Sequence, residues 1–253
     1  MGRRRDQFQL HFPETGAESM SDFEASKLLH SGAYVEKYEH KPISRIARLI
    51  PMLNLCGGEV LADFGCGNAM LLPLVKDHVS VYHGVDFSED FIRAAKRRAD
   101  ALGVHNCEFY CKDIVEFCGE MPGAYDVATA FDFSEHIDDA DFISIFSAIR
   151  GSLKPGGRLL LHTPNLDFFM ERLKDKGVLR QFPEHIAVRT IDANVELLEQ
   201  CGFPAERIRR RERVPSCGTI RSWRAAEMVW QRARTSSRRL VPRSPTPSSP
   251  WVA

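Results

Sequence analysis

The chain has 253 residues with 34 basic and 34 acidic side chains, so its formal charge at neutral pH is zero. With 43% hydrophobic and 27% charged residues, 17 Gly and 14 Pro, it is not collagen-like, a coiled coil or wholly disordered. No apolar run approaches the roughly 20 residues a membrane helix needs. Arg3, Arg4 and Arg5 are not followed by the apolar stretch of a secretory signal, and seven cysteines form no second pair at zinc-ligand spacing. Reduced thiols in a cytoplasmic protein are therefore expected. The zero also hides an asymmetry. Twelve Arg and three Glu lie after residue 203, so the segment carries +9 and residues 1–203 carry −9.

In chain order, residues 1–20 show no periodicity and read as a flexible leader. Ser21 with Glu24 forms a capping-box signature that opens a helical cap over 21–55. Within it, Ile43, Ile46, Ala47 and Ile50 recur at helical spacing after Pro42. Strands are expected at 60–64, 79–86, 107–111, 125–131 and 158–163. Helical patterns separate most of them, the clearest holding Phe142, Ile145, Phe146, Ile149 and Leu153. This alternation predicts a Rossmann-like α/β fold, doubly wound around a mostly parallel sheet, over 56–214. A last helix at 192–201 should stop at Gly202. Residues 207–214 read as a further strand and 222–234 as a short helix. The rest of the basic, Ser/Pro/Arg-rich segment 215–253 should be partly disordered.

The chemistry concentrates after the first strand, in Gly65-Cys66-Gly67-Asn68-Ala69. Glycines there let a ligand approach the backbone, and the following helix start offers free N–H groups. Asp86, nineteen residues beyond Gly67, stands at the end of the second strand, where a carboxylate can accept both hydroxyls of a ribose.

The segment 60–69 resembles the first motif of class I S-adenosylmethionine (SAM)-dependent methyltransferases, and 84–88 is similar to their second. Cys111-Lys112-Asp113-Ile114 resembles the third, 125–132 the fourth, and 153–161 the turn before the fifth strand. The resemblance spans roughly 55–205. NAD-dependent dehydrogenases usually show a third glycine three positions beyond Gly67, where this chain has Met70. The resemblance implies that SAM is the cofactor, with Gly65, Cys66 and Gly67 near its methionine part. It further implies that Asp86 and Phe87 lie at the ribose, Asp113 and Ile114 at the adenine, and Phe131, at the end of the fourth strand, against the cofactor. Asp63 would orient the loop or meet the SAM amino group through water. Tyr34 and Tyr38 precede the domain where relatives place residues that close over the cofactor, though a purely structural role suits either.

The substrate side is expected just after the fourth strand. The Glu135-His136-Ile137-Asp138 run is similar to a signature of ubiquinone-biosynthesis-type O-methyltransferases, and Glu135, His136 and His185 are the candidate catalytic residues. In the quinone enzymes and in small-RNA 2′-O-methyltransferases the related pattern supplies metal ligands. Asp132, Glu135, His136 and His185 would fill those places here, although no metal is the favoured reading. The expected acceptor is a small molecule, with oxygen ahead of nitrogen. Two alternatives stand beside it: an RNA-terminal 2′-O-methyltransferase using a divalent metal, and a SAM-binding protein or cyclase that transfers no methyl. Nucleic acid is a less favoured partner, suggested only by the Arg-rich end, because the arginines at 207–213 also suit a solvated strand face or the acidic body. Composition does not fix the oligomeric state.

Overall fold

A computed structural model describes Val35, Tyr38 and residues 42–182, 185–211 and 226–230. The expected helix after Ser21, Tyr34, and the expected disorder beyond 235 lie outside the described residues.

Seven strands form one sheet: β1 Glu59–Phe64, β2 Val79–Asp86, β3 Cys107–Cys111, β4 Tyr125–Phe131, β5 Leu153–Thr163, β6 Ile208–Arg211 and β7 Ala226–Trp230. Their order is β3-β2-β1-β4-β5-β7-β6. β1 to β5 pair in parallel, and β7 runs antiparallel to both β5 and β6. The chain order reverses between β1 and β4, so their carboxyl ends diverge into the crevice where open α/β sheets bind ligands.

Side chains on adjacent strand positions face opposite layers. On one face Leu61, Tyr82, Val127 and Leu160 pack against Leu49, Leu53, Leu72, Val75, Ala95 and Ala99. These belong to or flank the helical turns α1 Ser44–Ala47, α2 Ile50–Leu53 and α3 Leu72–Val75, and the longer α4 Glu89–Ala101. On the other face Ala62, Phe64, Val85, Ala128, Ala130 and Leu161 meet Phe117, Phe142, Phe146, Ile149, Val195 and Leu198. The covering helices there are α5 Ile114–Glu120, α6 Asp139–Ser152 and α8 Ile191–Gln200, while α7 Phe169–Asp175 lies in the insertion after β5. Each long helix starts on a side-chain cap: Ser88 for α4, Asp138 for α6 and Thr190 for α8. Gly202, in the left-handed region at φ 84°, ends the last of these, where a side chain would be strained.

Two expectations need correction. Residues 226–230 form a strand, not part of a helix, and that strand fills the sheet position between β5 and β6. The sheet therefore extends past residue 214 into the segment read as a tail. The Lys-Pro-Gly-Gly turn is also absorbed into β5. Its register against β4 jumps from Tyr125↔Leu153 to Val127↔Arg158, and a Cβ on Gly157 would meet the Tyr125 carbonyl at 2.8 Å.

Candidate functional site

β1 delivers its chain into the glycine loop beside the end of β2. Gly65 N and Cys66 N both donate to the Val85 carbonyl, at 2.9 and 3.1 Å. Gly67 N donates to Asp86 Oδ2 and Ser88 N to Asp86 Oδ1, each at 2.9 Å. Asp86 thus locks the loop to the second motif through both carboxylate oxygens. Gly65 and Gly67 have φ of 66° and 51°, which other residues adopt only with strain. A Cβ on Gly65 would also approach Phe133 to 3.1 Å. Ala69 takes the same left-handed conformation at φ 55°.

The loop fits SAM by two observations of its own. Its glycines leave the backbone open beside an anchored carboxylate, and the buried Asn68 side chain has neither its oxygen nor its nitrogen hydrogen-bonded. An amide in that state costs stability unless a polar ligand completes it. Cys66 is buried, with its thiol on the Gly67 carbonyl and its pKa pushed well up by burial, so its part in the loop is through the backbone. Phe87 offers its carbonyl to the Cys111 thiol. Asp113 caps α5 through Oδ1, accepting from Val115 N and Glu116 N, and Ile114 is buried behind it. Tyr38 lies edge-on to Phe91 with ring centroids 5.5 Å apart, and its ring is 3.9 Å from where a Gly67 Cβ would stand. Tyr38 therefore borders the loop.

Asp63 serves the sheet. Its oxygens accept from Tyr82 Oη on β2 and Thr129 Oγ1 on β4, both at 2.6 Å. Burial pushes its carboxyl up to about 6 against the lowering effect of these two donors, with Asp86 adding repulsion.

After β4, a 3-10 turn at Ser134–His136 brings Glu135 and His136 to His185, which follows the insertion. One ligand atom from each of the three lies within 4.8 Å of the others. The His136 and His185 rings meet edge to face at 5.1 Å, and Phe182 stands 5.2 Å from His185. Glu135 is buried and accepts from Thr163 Oγ1 at 3.2 Å. Burial, with Asp132 next in size, pushes its carboxyl up to about 8.

Asp132 is not in this cluster. Its φ of 51° turns it toward the cap, where it pairs with Arg45 on α1 and takes a 3.0 Å hydrogen bond from His162 Nδ1 on β5. Burial opposes the Arg45 charge, but Asp132, Tyr38 and Glu135 outweigh it and hold the guanidinium above its ordinary value. The four-residue ligand set expected from the sequence is thus reduced to Glu135, His136 and His185 among the described residues. Phe131 is buried, its ring edge-on to His162 at 6.2 Å.

Arg189 was not singled out by the sequence. It is buried, pairs with Asp139, and donates to the carbonyls of Ser134, Ile137 and Ala187 while lying over the Phe142 ring. It thereby ties the Glu135–His136 turn to the strand of chain that carries His185, reinforced by Ala187 N donating to the Glu135 carbonyl at 3.1 Å. An arginine two positions after an apolar Ile-Ala pair gives no sequence signal of this role.

Comparison with known proteins agrees with this geometry. The methyltransferase-domain family matches residues 34–207. A ubiquinone biosynthesis O-methyltransferase from Coxiella burnetii is 31% identical over 124 residues, 49% of this chain and 51% of its own, so the chain spans about half the length of that relative. One from Xanthomonas euvesicatoria is 26% identical over 187 residues, 68% of this chain and 77% of its own. The crystal structure of a SAM-dependent methyltransferase from Archaeoglobus fulgidus shares the fold with a TM-score of 0.57 at 16% identity, covering 83% of this chain and 99% of that one. By family match, strand order and glycine loop, the chain belongs to the methyltransferase-domain family and has the class I SAM-dependent methyltransferase fold.

Proposed function

We propose that the protein transfers a methyl group from SAM to a hydroxyl of a small molecule. The observation that carries this reading is the crowding of carboxyl and imidazole groups at the ends of β4 and β5, beside the SAM loop. Nitrogen acceptors with a free lone pair need only positioning, whereas a hydroxyl must also lose a proton. The two curated relatives named above are O-methyltransferases, which supports the same direction. SAM, when bound, supplies an electrophilic methyl. The protein's part is to hold it on the Gly65–Gly67 loop and Asp86, and to bring the acceptor against the groups after β4. Among the described residues no helix is long and apolar enough to cross a membrane.

A second reading, an RNA-terminal 2′-O-methyltransferase with a metal, draws on one observation: Glu135, His136 and His185 offer a carboxylate and two imidazoles at a spacing that suits a divalent ion. The arginines of β6 weaken it, because Arg210 pairs with Asp192 and Arg209 with the Glu206 carbonyl. Tritiated methyl transfer from SAM into small-molecule extract and into RNA, each with and without chelator, separates the readings. The expected result is chelator-insensitive label in the small-molecule fraction. Label confined to RNA and abolished by chelator would favour the metal enzyme, and SAM binding with no transfer to either would favour a binding protein or cyclase.

A further inference from the structure

We propose that His162, oriented by Asp132, is the general base that removes the proton from the acceptor hydroxyl. This rests on the methyl-transfer reading above and assigns its proton to a residue outside the Glu135–His136–His185 cluster. His162 is buried near the carboxyl end of β5, on the face covered by the cap; its neighbour Thr163 turns the other way, to Glu135. Asp132 and His162 are joined twice. Asp132 N donates to the His162 carbonyl at 2.8 Å, and His162 Nδ1 meets Asp132 Oδ1 at 3.0 Å. A carboxylate can only accept, so the imidazole proton sits on Nδ1 and the lone pair on Nε2. Arg45 neutralises the other Asp132 oxygen from the cap. Nε2 itself is buried with no hydrogen-bond partner. A buried acceptor left unmatched is costly unless a ligand supplies its donor. The left-handed backbone of Asp132 adds strain at the same point, the kind of outlier that clusters at functional sites.

An imidazole held in one tautomer by a carboxylate, with its second nitrogen left to accept a proton, is the arrangement of a general base. In the step assigned to it, Nε2 takes the hydroxyl proton as the hydroxyl oxygen bonds to the methyl carbon. The carbon–sulfur bond breaks, its electron pair stays on sulfur, and the products are the methyl ether and S-adenosylhomocysteine. The imidazolium formed is balanced by Asp132 and returns its proton to solvent after product leaves. Glu135 and Arg45 are the other charged groups bearing on this pair.

The test measures tritiated methyl transfer into small-molecule extract by the full chain, together with S-adenosylhomocysteine affinity. His162→Gln keeps a donor for Asp132 but cannot act as a base. It should lower the transfer rate about 100-fold or more and leave S-adenosylhomocysteine affinity within about twofold. His162→Ala should regain at least about tenfold in rate when imidazole is added, by the same removal of a base. A His162→Gln rate within about tenfold of the parent, or no imidazole rescue of His162→Ala, overturns the assignment while leaving methyl transfer intact. A parent that labels nothing overturns the methyl-transfer reading itself, and the base with it.

Discussion

Asp86→Ala is expected to weaken SAM binding by about 100-fold or more. The side chain accepts from Gly67 N and Ser88 N and so holds the loop against the second motif. Removing it leaves two N–H groups without their acceptor in a buried region, at about 1–3 kcal/mol each, and deletes the acceptor proposed for the ribose hydroxyls. Asp86→Asn keeps one acceptor oxygen and should fall between, at about tenfold, on the same scale of hydrogen-bond energies. Calorimetric titration of parent and variants with SAM reads both. An Asp86→Ala protein that binds as the parent does would show that the second motif does not meet the cofactor.

Glu135→Gln is expected to remove a large pH dependence of stability. In the unfolded chain this carboxyl titrates near 4.5; in the fold, burial and Asp132 push it up to about 8. The native protein therefore holds a proton that the unfolded chain has released. The stability that Glu135 contributes is fullest below about pH 4.5 and is lost as pH rises toward 8, by at most about 1.4 kcal/mol per pH unit. Asp63, pushed up to about 6, acts with the same sign in a lower window. His83, lowered by burial from 6.5, acts with the opposite sign below that value. The cleanest interval is thus pH 6.5 to 8. Urea unfolding there, in chelator, should show the stability of Glu135→Gln gaining on the parent by about 1 kcal/mol per pH unit. Parallel curves would mean that Glu135 is ionised in the native protein.

What the sequence shows about this site follows how local the determinants are. The glycine loop and Asp86 are readable because positive φ, close approach and an acid at a strand end are requirements of single positions, and the structure joins Gly67 to Asp86 directly. Strands β2, β3 and β4 match their expected limits: β2 and β4 are largely buried runs rich in β-branched or aromatic residues, and β3 is a short half-exposed run around Phe109 and Tyr110 bounded by turns. β7 was not legible. Ala226–Trp230 is apolar enough for either periodicity, and what makes it a strand is pairing with β5 and β6, the former more than 60 residues away. Asp132 stands at ligand spacing from Glu135 in the linear chain, yet a single left-handed residue sends it to the opposite side. His162 is hidden inside Leu159-Leu160-Leu161-His162-Thr163, which reads as core. Only the register of β4 on β5 brings it beside Asp132.

Titrating the full chain with S-adenosylhomocysteine and, separately, with NADH distinguishes a SAM site on the β1 loop and the end of β2 from a dinucleotide site. One equivalent of S-adenosylhomocysteine should bind in about the micromolar range usual for enzyme ligands, NADH should not bind, and Asp86→Ala should lose the first. NADH binding, or S-adenosylhomocysteine binding that does not depend on Asp86, would contradict the SAM site.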